Sequence, residues 1–177
     1  MTIPMSHTTG GYRWLNPLLV AYHNGTLRER PFAGREINVR DAKGRNALYW
    51  AIWHDNRENI DFLLDEGICL NVENQKHALF HAIECGSAHA VDLLTLRGLY
   101  PDRIRDGCGH TPLMMAAAKG KLAICRLLLE RGADPFLTDI HFETAADLAL
   151  KNGYPIVSVE ISRWMDLRSY AGNEEGL

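Results

Sequence analysis

The 177-residue sequence predicts an all-α solenoid of stacked helix-turn-helix units joined by short β-hairpin fingers. Three observations predict it. Helix-capping residues recur at Asn16, Asn46, His77, Thr111 and Thr144, in steps of 30, 31, 34 and 33. Helix-terminating glycines recur at Gly34, Gly67, Gly98 and Gly132, in steps of 33, 31 and 34. Between each cap and its glycine lie two short segments with apolar residues at helical spacing. A period of this length marks a repeat array, because one such unit cannot bury its own apolar face and needs neighbours.

The clearest unit runs from Asp106 to Thr138. The Thr111 hydroxyl can accept from a free N–H of the first helical turn. Pro112 follows at the first helical position, where its missing N–H costs nothing. Leu113 to Lys119 is rich in helix formers, and Gly120 breaks the helix. Leu122 to Arg131 forms a second helix, with Leu122, Cys125, Leu128 and Leu129 on one face, and Gly132 ends it. The order Thr111-Pro112-Leu113, Ala116-Ala117, Gly120, Leu127-Leu128 and Gly132-Ala133-Asp134 resembles the ankyrin repeat. Met114 stands where that family usually has His, and Phe136 where it usually has Asn. The resemblance extends from residue 16 to about residue 168.

The other units follow in order. Residues 1–13 are polar with a Gly10-Gly11 pair and are expected to form a flexible arm. Residues 14–40, opened by Asn16-Pro17-Leu18, read as a degenerate N-terminal capping repeat. Residues 41–73 form a full repeat: Asp41-Ala42-Lys43-Gly44 turns the finger, Asn46 caps, and Phe62-Leu63-Leu64 packs the second helix. Asp55 replaces the mid-repeat glycine, which predicts a looser turn between the two helices. Residues 74–105 keep His77-Ala78-Leu79, Gly86 and Leu93-Leu94, but their finger is two residues short and is expected to leave a notch. Residues 139–170 close the array as a C-terminal capping repeat. Its second helix starts at Pro155 and runs toward Arg168, with Glu160, Arg163 and Arg168 expected on a polar outer side. Residues 171–177 are expected to be a flexible tail. The whole stretch 14–170 is read as one domain.

Composition narrows the function. A net charge of -3 argues against a general nucleic-acid binder. Cys69, Cys85, Cys108 and Cys125 include no C-x-x-C pair, so no zinc ribbon or thioredoxin-like site is indicated, and their separation suits a reducing compartment. The N-terminus has no signal-peptide pattern, and no apolar run approaches membrane-spanning length, so a cytoplasmic location is expected.

A catalytic or metal reading finds little support in the residues. His77 and His81 share a helical face, but His77 is a capping residue and no Glu accompanies them as in H-E-x-x-H. Asp41, Asp106 and Asp139 recur with the repeat, which points to turn formation rather than acid–base work. Cys108 and His110 lie two apart in a glycine-rich turn, where a fingertip thiol is the simpler reading than a nucleophile. No phosphate-binding loop is present. No cofactor, metal or catalytic residue is expected.

The resemblance implies protein binding through the hairpin fingers and the exposed side of the first helices. Carried onto this chain, the implied contact residues are His23, Lys43, Arg45, Trp53, His54, Glu84, His110, Lys119, His141, Glu143 and Lys151. Trp53 follows Ala51 by two positions, so it either points to the open face or packs on Trp50, Tyr49 or the short finger. Trp50 reads as core, and Tyr49, Phe80 and Met114 share one position and read as half-buried. Residues 1–45 carry seven basic and three acidic side chains, against 12 and 19 in the rest, a polarity that can orient a partner. The implied partner is another protein, with neither nucleic acid nor membrane. Small single-domain members of the family in bacteria include inhibitors, some cognate to secreted toxins, so an inhibitor or immunity protein is the first expectation. An assembly or regulatory subunit is the second, and a Cys/His-dependent or metal enzyme the third.

Overall fold

The computed structural model describes residues 37–174. The expected N-terminal arm, most of the N-terminal capping repeat, and His23 lie outside the described residues. Four pairs of antiparallel helices follow one another. They are α1 (Ala47–Trp53) with α2 (Arg57–Asp65), α3 (Ala78–Cys85) with α4 (Ala88–Leu96), α5 (Pro112–Ala118) with α6 (Leu122–Glu130), and α7 (Ala145–Lys151) with α8 (Pro155–Glu174). The first helices form one layer and the second helices another. A single core runs between them from Ile37 through Leu48, Leu63, Leu79, Leu94, Leu113, Leu128 and Ala149 to Ile161. Among the described residues, no helix is long and apolar enough to cross a membrane.

Each first helix starts on a side-chain cap. Asn46 accepts from Tyr49 N–H, His77 Nδ1 from Leu79 N–H, Thr111 from Met114 N–H and Thr144 from Asp147 N–H. Asn46 is fully buried, and its amide also donates to the Cys69 carbonyl at 2.8 Å. The Asp147 carboxylate closes a capping box on Thr144 N–H at 2.9 Å. In the third repeat Met114 Sδ takes that place, at 3.3 Å from Thr111 N.

The turn at Asp55 is not looser than the others. Asp55 N–H bonds to Ile52 O and Asn56 N–H to Ala51 O, at 3.0 and 2.9 Å. The Gly120 turn makes the same pair at 3.0 and 2.9 Å. Asp55 reaches the left-handed region at φ 49°, which Asp tolerates better than most residues, and its carboxylate accepts from the Ser87 hydroxyl of the next repeat. That cross-repeat bond holds the turn without a glycine.

A side chain at Gly120 is disfavoured for two reasons. Its φ is 66°, and a Cβ there would stand 2.4 to 2.8 Å from ring carbons of Tyr154. Gly120→Ala is expected to cost about 2 kcal/mol, mostly from the left-handed conformation with a share from ring displacement. A double-mutant cycle with Tyr154→Ala, followed by urea denaturation, separates the two parts. Strictly additive losses would sink the ring-packing account.

The second helices are tied to one another across repeats. Arg57 donates to His89 at 2.7 Å, Arg97 to Asp61 and Asp65 at 2.6 and 2.7 Å, and Arg126 to Glu160 at 2.9 Å. Arg131 pairs with Asp92. The outer side of α8 differs from expectation. Glu160 is engaged by Arg126, and Arg168 donates to the Leu129 carbonyl at 3.3 Å. Ile156, Val159 and Leu167 are instead 73%, 69% and 58% exposed. The terminal helix thus carries an apolar stripe beside Arg163, because its buried positions (Val157, Ile161) do not exhaust its apolar residues. The helix also continues through residues 171–174, where a flexible tail was expected.

Candidate protein-binding face

The fingers are built on one repeated device. In each of Asp41–Arg45, Asp106–His110 and Asp139–Glu143, the leading Asp Oδ1 accepts two backbone N–H groups, from the second and fourth residues after it. The distances are 2.8 and 3.0 Å, 2.8 and 2.9 Å, and 2.7 and 3.0 Å. The Asp N–H in turn donates to the carbonyl four residues on, at 2.9 to 3.1 Å. Such Asx-type turns explain why Asp recurs with the repeat. The residue after the fingertip is left-handed: Gly44 at φ 78°, Gly109 at φ 79°, and Phe142 at φ 61°. The shortened second finger instead forms a true hairpin of β1 (Asn71–Glu73) and β2 (Lys76–His77), closed by Asn74 and Gln75, both at positive φ. It is the one finger with paired named strands among the described residues.

Adjacent fingers are stapled by an arginine that precedes the Asp. Arg40 donates to Gly44 O at 2.7 Å within its own finger and to Asn71 O at 2.6 Å in the next. Arg105 repeats this, to Gly109 O at 2.7 Å and Thr138 O at 3.2 Å. The first finger is thereby tied to the second, and the third to the fourth.

Burial would push the Asp41 carboxyl up, but the Arg45 guanidinium and the N–H groups of Arg45 and Lys43 outweigh it and hold the group below 3.8. At Asp139 burial also opposes ionisation, and the N–H groups of Glu143 and His141 outweigh it. Both folded values are depressed, so their stabilisation is present above the unfolded value and is lost as pH falls through the folded one. The wild type is expected to lose stability between about pH 5 and about pH 2. An Asp41→Asn/Asp139→Asn variant, less stable at pH 5, should lose distinctly less over that interval in chemical denaturation. Equal losses would refute the assignment.

The first-helix side carries an aromatic ladder. Trp53 is 57% exposed and its ring lies parallel to Tyr49 at 6.3 Å. Tyr49 stacks on His81 of the next repeat at 4.0 Å. His81 is buried with Nε2 3.2 Å from the Tyr49 carbonyl, and burial lowers its pKa. The His77–His81 pair is thus divided between a helix cap and a stack. Trp50 is buried, as expected. Phe80 and Met114 are buried too, and only Tyr49 of that positional set is half-buried.

The remaining residues named from the sequence fall into two groups. Lys43, His54, Lys119 and His141 are exposed along the finger and first-helix side. Five others are engaged within the molecule. Arg45 binds Asp41 at 2.7 Å and lies over the Trp50 ring at 4.3 Å. Glu84 pairs with Lys76 at 3.0 Å, and Glu143 with Lys151 at 2.7 Å. His110 is half-buried between carboxylates, with Nδ1 3.0 Å from Asp106 Oδ2 and Nε2 3.3 Å from Asp139 Oδ2. Lys151 keeps its ammonium exposed beside Glu143.

Two residues on this edge escaped the sequence reading. Phe142 is 85% exposed at the last finger, and Ile140 of the same finger lies over Gly109. The signal was present: aligning Asp41-Ala42-Lys43-Gly44 with Asp139-Ile140-His141-Phe142 puts a phenylalanine where the turn favours glycine. A bulky side chain at positive φ is a genuine outlier.

Paired helices, a shared core and finger turns stacked on one edge define a helix-turn-helix repeat solenoid. The family models agree. "Ankyrin repeats (3 copies)" matches residues 18–103, and "Ankyrin repeats (many copies)" matches residues 101–149. The chain belongs to the ankyrin repeat family. It is 42% identical over 74 residues to ankyrin repeat and SAM domain-containing protein 6 of Danio rerio, covering 42% of this chain and 10% of that protein. It is 30% identical over 112 residues to the B-cell lymphoma 3 protein homolog of Mus musculus, covering 62% of this chain and 25% of that protein. A putative ankyrin repeat protein of Fowlpox virus is 24% identical over 130 residues, covering 73% of this chain and 31% of the viral one. The chain thus spans a third or less of the length of these relatives. Ankyrin repeats generally mediate protein–protein interaction and are typically not enzymes.

Proposed function

We propose that this chain, as a single repeat domain over residues 14–170, binds one protein partner through its finger edge and first-helix side. In this reading it is an inhibitor or immunity protein that occludes a cognate toxin or enzyme in the cytoplasm. The observation that carries the reading is Trp53, a large aromatic that is more than half exposed at the end of the aromatic ladder on the first-helix side. Trp is enriched in interface hot spots, and here its ring lies parallel to that of Tyr49. His54 follows it in sequence, Lys43 adds an exposed cation on the first finger, and His141 and Phe142 are exposed on the last finger.

The test is affinity capture from a native lysate with mass spectrometry, using wild type beside a Trp53→Ala/Lys43→Glu variant. The proposal requires a stoichiometric partner captured by the wild type and lost by the variant, and requires that complex formation suppress the partner's activity. Equal capture by both proteins would overturn the assigned face.

A second reading, an assembly or regulatory subunit, is favoured by one specific observation. The exposed Ile156, Val159 and Leu167 stripe on α8 supplies a second surface, apart from the fingers. A partner retained by the Trp53 variant but lost on Val159→Glu/Leu167→Glu would select that reading.

A further inference from the structure

We infer that the third finger is a binding site for a divalent transition-metal ion of the zinc class, with Asp106, Cys108 and His110 as ligands and Asp139 as the carboxylate that orients the histidine. The three ligand-bearing residues alternate along one five-residue turn. One ligand atom from each lies within 4.8 Å of the other two. With metal bonds of about 2.0–2.3 Å, ligand atoms of a tetrahedral site stand about 3.3–3.8 Å apart. The Cys108 side chain is exposed and turns about a single χ angle, so thiol rotation supplies most of the remaining approach.

The independent observation is Asp139. It belongs to the next finger, is 7% exposed, and its Oδ2 is buried without a hydrogen-bond partner. That oxygen points at His110 Nε2 from 3.3 Å, while Asp106 Oδ2 faces Nδ1 of the same ring from 3.0 Å. A neutral imidazole has one N–H, so it can serve one of these carboxylates and must turn a lone pair toward the other. A cation at the Nδ1 side resolves the conflict. Nδ1 and Asp106 Oδ2 become ligands, and the proton rests on Nε2, facing Asp139. This is the carboxylate–histidine–metal arrangement that fixes the tautomer of metal-bound histidine. Asp106 Oδ1 and the backbone keep their turn hydrogen bonds throughout, so binding leaves the finger's fold unchanged.

The donor set selects the ion. One thiolate, one imidazole and one carboxylate suit Zn²⁺ and Co²⁺, whereas Ca²⁺ and Mg²⁺ prefer all-oxygen sites. Binding displaces the thiol proton to solvent. The neighbouring cation, Arg105, is turned onto the Gly109 and Thr138 carbonyls. The fourth position of a tetrahedral ion would be open to solvent at the fingertip.

Co²⁺ titration of the reduced, metal-stripped full chain tests this. We expect saturable 1:1 binding with a thiolate-to-Co²⁺ charge-transfer absorption and tetrahedral d–d bands, bleached by Zn²⁺. Cys108→Ser should abolish the charge-transfer band, and Asp139→Asn should weaken Co²⁺ at least about 10-fold while keeping the band. Far-UV circular dichroism of each variant checks that it is folded. If Asp139→Asn fails to fold, Cys108→Ser, at an exposed position, decides alone. Absence of saturable binding by the wild type, or a charge-transfer band that survives in Cys108→Ser, would overturn the proposal. A protonated His110 serving both carboxylates predicts the first of these results.

Discussion

Leu128→Ala lowers the unfolding free energy by about 3 kcal/mol. Leu128 is fully buried on α6, in the best-formed repeat, and belongs to the core that α6 shares with the helices on either side. Truncation removes three heavy atoms from a fully buried site among packed core side chains, so the cavity collapses only in part. In a repeat array each unit contacts its neighbours alone, and the loss weakens two interfaces at once. At this domain size the change corresponds to a fall of roughly 10 °C in Tm. Urea denaturation measures the free energy and calorimetry the midpoint. A loss below 1 kcal/mol would mean that α6 is not held in the core as described. Leu127→Ala, one residue away and half-buried, is the internal comparison and should cost clearly less.

Trp53→Ala with Lys43→Glu weakens the partner complex by about two orders of magnitude in Kd while leaving Tm nearly unchanged. The tryptophan accounts for most of the effect, as loss of a desolvated aromatic anchor. Reversal at Lys43 adds a salt-dependent share, chiefly in the association rate. The folded state loses little, because Trp53 is more than half exposed and its ring stands 6.3 Å from Tyr49. Arg45 is deliberately spared. Its guanidinium closes the first finger against Asp41 and covers Trp50, so charge reversal there would disturb the fold and obscure the readout. Titration calorimetry with the captured partner checks the prediction. An unchanged Kd would place the contact surface elsewhere.

The repeat architecture was legible because local chemistry writes it. Caps at Asn46, His77, Thr111 and Thr144, Asp-led turns and terminal glycines each act within a few residues, and each does in the fold what its type suggests. The departures are set by side-chain partners beyond the local turn, about one repeat away for Asp55 and His110 and eight residues away for Glu143 and Glu84. Asp55 holds a tight left-handed turn because Ser87 donates to it. His110 is engaged because Asp139 closes over it. Glu143 and Glu84 are engaged by lysines eight residues distant on the same finger and first helix. The polar outer side expected of the last helix failed for another reason. Residues 160 and 168 are polar, yet both turn back to α6, and Ile156, Val159 and Leu167 face outward instead. A helical wheel gives the spacing but not the angle at which the helix docks. The candidate face was legible at Trp53 and Lys43, whereas Phe142 was not singled out although it stands where the turn favours glycine.

The ties between repeats have a kinetic meaning. From Arg40–Asn71 to Arg131–Asp92 and Arg168–Leu129, they join residues 31 to 39 apart in the chain. Contacts of this short range close small loops at little entropic cost, so the barrier to forming them is low. During synthesis each repeat acquires its complete set of downstream partners as soon as the next one has left the ribosome. Folding can therefore advance in the direction of translation, one helix pair at a time, without waiting for the C-terminus.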